Sequence, residues 1–185
     1  MKTLKITLIS FMMIAISFAY AQNGVLKNQP KAKPQTKTVS ETDYKAHADG
    51  WMVDINKAYE ESIKTGKPIM ANFTGSDWCG WCKKLKYEVF DKEAFKTWAK
   101  KNVILVELDF PRRFKIPEKY QEQNYGLAQA FKVTGYPTIW VFNLGKDDKG
   151  QFTIDALGKT GYVKGVSAFT VGIDKMISQA KSKGK

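Results

Sequence analysis

The chain has 185 residues, a length that suits one folded domain with a short appendage. Hydrophobic residues make up 43% of it, so the sequence can bury a core and is not that of a disordered protein. A net charge of +12 can attract nucleic acid, an anionic membrane or acidic proteins, but only Arg112 and Arg113 among the basic residues are arginine. Because phosphate and base recognition favours arginine, we expect a lysine-rich solvated surface and no nucleic-acid partner.

The first 21 residues have the pattern of a secretory signal. Two lysines precede an uncharged, mostly apolar stretch over residues 6–21, which ends in the A-x-A cleavage pattern Ala19-Tyr20-Ala21. We therefore expect residues 1–21 to be a signal peptide, and the protein to be periplasmic or secreted. The alternative is an uncleaved anchor, the one case in which we expect membrane contact, although the stretch is shorter than the ~20 residues of a spanning helix.

The segment after the signal differs in composition from the rest of the chain. It is rich in Lys, Gln, Pro and Thr and has one clear apolar pair, which predicts a flexible linker over residues 22–45. A frayed terminus is the alternative. A folded domain is expected over residues 46–185.

Hydrophobic periodicity and turn residues predict alternating helices and strands within this domain. The predicted helices cover residues 54–65, 79–90, 91–101, 119–131 and 166–181. The predicted strands cover residues 69–74, 103–109, 138–143 and 152–158, with a basic loop over 111–118 and a charged turn over 145–150. Alternating elements followed by a terminal hairpin predict an α/β sandwich with a mixed sheet.

Cys79 and Cys82, the two cysteines of the chain, lie three residues apart at the start of a predicted helix. A bridge between them would close almost no loop and would stabilise little, so its value is chemical. Thiol–disulfide exchange needs an ionised thiol and a second thiol that resolves the mixed disulfide. The positive helix end favours an anion at Cys79, whereas Cys82 shares the core-facing stripe of Leu85 and Val89. We therefore expect Cys79 to be the exposed nucleophile and Cys82 the buried resolving thiol.

The competing interpretation of this pair is half of a zinc site. Structural zinc sites need four ligands, usually Cys or His. The chain has no second pair of cysteines, and its single histidine, His47, precedes the predicted core. We therefore predict no metal and no other cofactor, while a site shared across a dimer stays open.

Several ordered motifs resemble those of the thioredoxin superfamily. Residues 69–73 lead into Trp78-Cys79-Gly80-Trp81-Cys82-Lys83, and Val133-Thr134-Gly135-Tyr136-Pro137-Thr138 follows about 55 residues later. The resemblance covers about residues 51–181 and implies the thioredoxin fold, a three-layer α/β/α sandwich with a central mixed sheet. The longer loop over residues 111–124 and the Gly-Ser-Asp-Trp lead-in most resemble exported bacterial thioredoxin-like proteins, here with a Cys-Gly-Trp-Cys motif.

The resemblance also implies roles for the residues around the pair. Pro137 would be a cis-proline that faces the cysteines, and the backbone of Tyr136 would pair with a bound substrate strand. Trp78 and Trp81 would flank the sulfur, and Gly80 would let a backbone approach closely. An ordinary edge-of-strand proline and core-packed tryptophans are the alternatives.

Two positions depart from the family pattern. Asn72 stands where thioredoxins carry a buried acid that helps the resolving thiol lose its proton, and Glu107 is close in sequence but of undetermined direction. Trp81 stands where thioredoxins usually have proline, and an aromatic residue there resembles bacterial disulfide isomerases.

These observations predict an exported thiol–disulfide oxidoreductase that reduces or isomerises protein disulfides through a Cys79/Cys82 dithiol–disulfide couple. Its expected partners are disulfide-containing exported proteins and an upstream electron-donor thiol protein, because thiols in an oxidising compartment need an electron source. The alternative is a redox-inactive binding module or chaperone on the same fold. A dedicated partner in cytochrome or membrane-protein assembly would use the same chemistry on a narrower substrate.

Overall fold

The computed structural model describes residues 38–183, in which four strands form one mixed sheet. The strands are β1 (Ile69–Thr74), β2 (Ile104–Asp109), β3 (Thr138–Lys146) and β4 (Phe152–Thr160), in the order β2-β1-β3-β4. β1 runs parallel to β2 and antiparallel to β3, and β3 forms a hairpin with β4. The sheet is therefore mixed, as the sequence predicts.

Within residues 38–183, five α-helices flank this sheet. They are α1 (Ile55–Thr65), α2 (Gly80–Leu85), α3 (Glu93–Asn102), α4 (Glu118–Ala130) and α5 (Val166–Lys183). The predicted helix over 79–90 is in fact α2 followed by a π-helical turn, Lys86–Phe90. β3 also runs beyond its predicted end, because Gly145 and Lys146 still pair with Thr153 and Phe152 of β4, which shortens the predicted charged turn.

Apolar side chains fill both faces of the sheet. One cluster joins Met70 of β1 to α2, α3 and α5, and the other joins Phe73 of β1 to α1 and α4. All six residues of β1 are buried, as expected for a strand covered by helices on both sides. This is the expected three-layer α/β/α sandwich, and it gives the chain a rigid strand from which to enter the cysteine segment.

Composition predicts a flexible linker over residues 22–45, but its last part, residues 38–45, contacts the folded domain. The Val39 N–H donates to the Lys115 carbonyl at 2.9 Å. The buried ring of Tyr44 packs against that of Tyr120, with the ring centroids 5.0 Å apart. The contact partners lie about 75 residues further along the chain, so composition alone does not reveal them. The remaining linker residues, 22–37, and the expected signal peptide lie outside the described residues. In the range 38–183, no helix is long and apolar enough to cross a membrane.

Candidate active site

The two cysteines lie where the chain passes from β1 into α2. Cys79 is the N-cap of α2, and its Sγ is bonded to Cys82 Sγ at 2.07 Å, with the Cα atoms 5.3 Å apart. The Cys82 backbone N–H donates to Cys79 Sγ at 3.1 Å. An N–H of the first helical turn that points at this sulfur favours its anionic form once the bridge is reduced.

Exposure does not separate the two sulfurs as the sequence predicts. Cys79 and Cys82 are both 5% exposed in the disulfide form, so Cys79 is not an exposed group here. The reason is the bridge itself, which holds the Cys79 sulfur against the first turn of α2. The two residues differ instead in their surroundings, since Cys79 caps the helix and Cys82 lines a partly open cavity.

Aromatic side chains flank the pair on both sides. Trp81 is 57% exposed and packs on Tyr162 with ring centroids 5.0 Å apart. Trp78 is less exposed, meets the ring of Tyr136 edge-on at 5.7 Å and donates its indole N–H to a backbone carbonyl. The Tyr136–Pro137 peptide bond is cis, as the family resemblance implies. Trp78 is therefore the more firmly packed of the two tryptophans, as the sequence predicts, and their role beside the sulfur stays a prediction.

Two glycines in this segment differ in what surrounds them. A Cβ at Gly75 would lie 2.4 Å from the Trp78 indole, so only glycine lets the ring lie over the backbone there. A Cβ at Gly80 would meet nothing within 4 Å, so the space above that position is open. Gly75 is a positioning residue for Trp78 that the sequence analysis does not identify.

A cavity of about 180 Å³ lies on the inner side of Cys82. Asn72 and Glu107, which are paired in register on β1 and β2, both line it, so the direction of Glu107 is towards the cysteine pair. Glu107 is 4% exposed, and Asn72 Oδ1 is buried with no hydrogen-bond partner among residues 38–183. The acid that the sequence lacks at position 72 is thus supplied to the same cavity from the neighbouring strand.

Glu107 is held by the histidine that precedes the first helix. Its Oε1 accepts from the His47 backbone N–H at 2.8 Å and lies 2.9 Å from His47 Nδ1. This hydrogen bond raises the pKa of His47 above its usual value, although burial acts in the opposite direction. His47 is 38% exposed, so it connects the buried carboxylate to solvent.

A second buried carboxylate lies two residues further along β2. Asp109 accepts from the Ser76 backbone N–H at 2.8 Å and from the Ser76 hydroxyl at 2.6 Å, and lies 3.8 Å from His47 Nδ1. Burial raises the pKa of Asp109, although these hydrogen bonds act to lower it. Asp109 thereby ties the turn before Cys79 to β2.

A model of the thioredoxin-like domain matches residues 55–159, more than half of the chain. The chain belongs to the thioredoxin-like family. It is 33% identical over 112 residues to the disulfide bond reductase DsbH of Chlamydia pneumoniae, an alignment that covers 60% of this chain and 68% of that protein. It is 26% identical over 108 residues to the thioredoxin-related protein DsbJ of the same organism, covering 58% of this chain and 30% of the longer relative.

A solved structure of a DsbH oxidoreductase has a similar fold. It matches with a TM-score of 0.56 and 27% identity, and the match covers 84% of this chain and 93% of that one. Together with the Cys-x-x-Cys pair at bonding distance, these relatives identify this thioredoxin-like protein as a thiol–disulfide oxidoreductase.

Three residues that support this thioredoxin-like site, His47, Asp77 and Gly75, are not among those that the sequence predicts. His47 precedes the predicted core, and its partner Glu107 is 60 residues away in sequence, so no local pattern connects the two. Asp77 accepts the backbone N–H groups of Arg112 and Arg113 at 2.6–3.1 Å and so fixes the basic loop beside the site. Gly75 is the third, and the Gly-Ser-Asp-Trp lead-in was the available signal for it and for Asp77.

Proposed function

We propose that this thioredoxin-like protein is exported and reduces or isomerises disulfide bonds in other exported proteins, with Cys79 as nucleophile and Cys82 as resolving thiol. The observation that carries the proposal is the bridged pair at the start of α2, with the Cys82 N–H directed at Cys79 Sγ. The printed name of the Chlamydia pneumoniae relative, a disulfide bond reductase, supports the reducing direction. The signal pattern over residues 1–21 supports export.

The first chemical step is an attack by the Cys79 thiolate on a substrate disulfide. A bond forms between Cys79 Sγ and one substrate sulfur, and the other substrate sulfur leaves as a thiolate. The N–H of Cys82 and the start of α2 stabilise the attacking anion. Trp78, Trp81 and the backbone before Pro137 flank the sulfur and hold the substrate segment.

The second step releases the substrate. Cys82 loses its proton and its thiolate attacks Cys79 Sγ, which forms the Cys79–Cys82 disulfide and breaks the bond between Cys79 and the substrate. The substrate sulfur leaves as a thiolate, so the substrate has gained two electrons. Glu107, which shares the cavity with Cys82, accepts this proton, and His47, which is hydrogen-bonded to Glu107 and partly exposed, passes a proton to solvent. An upstream thiol protein then returns two electrons to the Cys79–Cys82 disulfide.

Trapping tests the roles of the two sulfurs. A Cys82→Ser variant expressed in cells should accumulate mixed disulfides on Cys79, because the second step is blocked. A Cys79→Ser variant, the matched control, should accumulate far fewer. Absence of Cys79-linked partners in the first variant would sink the proposal, and an intact mass that still includes residues 1–21 in the exported protein would sink the predicted cleavage.

Measuring the reduction potential of the pair tests the direction of electron flow. A value near the ~−270 mV of thioredoxin supports the reductase, and a value near the ~−120 mV of a strong oxidant contradicts it. A redox-inactive binding module predicts that a double Cys-to-Ser variant still complements a deletion, which this proposal excludes.

A further inference from the structure

An arginine lies against the tryptophan that precedes the nucleophilic cysteine. The guanidinium carbon of Arg112 is 3.6 Å from the centroid of the Trp78 ring. Both partners are fixed: the Trp78 indole donates to the Phe110 carbonyl at 2.8 Å, and the Asp77 carboxylate accepts the Arg112 backbone N–H at 3.0 Å. A guanidinium on a ring face keeps N–H donors in its own plane, so Arg112 is held ready to bind a carboxylate by two parallel hydrogen bonds.

The charge around this contact is positive. The cations are Lys83, Arg112 and Arg113, which we call the basic flank. Lys83 Nζ donates to the Asp77 backbone carbonyl at 2.9 Å, and the Asp77 carboxylate is engaged by backbone N–H groups. No ion pair within 4.0 Å joins a side chain of the basic flank to a carboxylate in the part of the chain that the structure describes.

The other side of the cysteine pair is different, because its cation is already compensated. Lys84 lies 5.1 Å from the Trp81 ring centroid and 4.0 Å from Glu88, which also accepts the Tyr162 hydroxyl. The Trp78 side thus carries three cations and the Asp77 carboxylate, whereas the Trp81 side carries Lys84 and Glu88, so the net positive charge is larger on the Trp78 side. A bound acidic side chain is therefore stabilised more by nearby positive charge on the Trp78 side than on the Trp81 side.

A cleft of about 240 Å³ continues from the basic flank. It runs between the loop after β2 and helix α4, and residues that line it include Phe110, Arg112, Asn124 and Tyr125. A substrate segment that follows the Trp78 side therefore passes a cation first and a mixed polar and aromatic cleft next.

We propose that this surface selects disulfides whose cysteine is flanked by acidic residues, and that Arg112 determines the selection by pairing with the acidic side chain. The partner is thus an acidic, cysteine-containing segment of a protein. The inference rests on the proposed function and specifies its substrate class.

Matched peptides test this selection. Three peptides of equal length differ only in the two residues that flank one cysteine, which are Asp, Asn or Lys. The cysteine of each peptide forms an uncharged mixed disulfide with mercaptoethanol. The rate constant for its reduction by the reduced protein is divided by the rate constant for its reduction by dithiothreitol, which removes the intrinsic reactivity of each peptide. Since exposed ion pairs are weak, we expect the Asp peptide to react about five-fold faster than the Lys peptide at low salt, with the ratio falling towards one at high salt.

An arginine variant and a matched control assign the effect. Arg112→Gln should reduce the Asp-to-Lys ratio to below about two. Lys146→Gln should keep it, because Lys146 also lies over an aromatic ring, 5.1 Å from the Tyr59 centroid, but at the far end of β3. The ratio is internal to each variant, so a general loss of activity does not imitate the effect.

The possible failures are distinguishable. A wild-type ratio near one, a ratio insensitive to salt, or a wild-type ratio retained by Arg112→Gln overturns this inference and leaves the proposed function standing. If the wild-type protein reduces none of the three peptides faster than Cys79→Ser does, the proposed function falls and this inference falls with it.

Discussion

Replacing Glu107 with glutamine should slow substrate release while leaving the first attack unchanged. Gln keeps an oxygen that can accept from the His47 N–H, but it cannot take a proton from Cys82. A positioned base contributes ~10²–10⁴-fold to a proton-transfer step. His47 still lines the cavity of the variant, so we expect the low end, about 10²-fold, which corresponds to about 2.7 kcal/mol in the barrier.

A symmetrical pyridyl disulfide separates the two steps. The attack by Cys79 releases one absorbing thione and the attack by Cys82 releases the second, so stopped-flow absorbance has two phases. In Glu107→Gln the first phase should match that of the wild type, and the second should be about 10²-fold slower at pH 7. Glu60→Gln is the control, because Glu60 is an exposed carboxylate on α1.

Two results would refute this reasoning. A second phase at the wild-type rate would show that Glu107 accepts no proton. A faster second phase would show that the buried carboxylate acts through its charge, by disfavouring a thiolate at Cys82.

Three further predictions concern stability. Gly75→Ala should cost about 1–3 kcal/mol and lower the Tm, because its Cβ overlaps the Trp78 indole, whereas Gly80→Ala should leave the Tm unchanged or raised; equal melting of the two variants would contradict this. Because the pKa of His47 is raised in the folded state, protonated His47 adds to the free energy of unfolding. This stabilisation is complete below pH ~6.5 and is lost as the pH rises through the folded-state pKa. Denaturant unfolding should show a loss below about 1 kcal/mol over this window that is absent in His47→Asn, and a loss of equal size in both proteins would contradict it. Tyr44→Ala should lower the free energy of unfolding by about 3–5 kcal/mol if residues 38–45 belong to the folded unit. An unchanged unfolding midpoint would show that these residues are part of the linker.

The parts of this protein that the sequence predicts are those with local signals. The apolar run of β1 and the Cys79–Cys82 spacing at a helix start each lie within a few residues, and both are present. The family resemblance adds the cis bond before Pro137. The fold class follows, because alternating elements leave few ways to bury the apolar faces.

The parts that escape prediction depend on contacts between distant residues. The direction of Glu107 could not be read from alternation, because five of the six residues of β2 are buried. Its partner His47 is 60 residues away, and Tyr44 meets Tyr120 across a similar distance in sequence. The low exposure of Cys79 in the disulfide form also escapes prediction, because it depends on the bond to Cys82 and on the position at the cap of α2.

In the proposed proton path from Cys82 through Glu107, the hydrogen bond to His47 brings the segment before α1 into the catalytic apparatus. The match to the thioredoxin-like domain begins at residue 55, eight residues after the imidazole. A protein trimmed to those bounds keeps both sulfurs and the cis-proline but lacks His47, the proposed exit for the proton. Proteolytic removal of the residues before α1 would therefore slow turnover while leaving the Cys79–Cys82 couple in place.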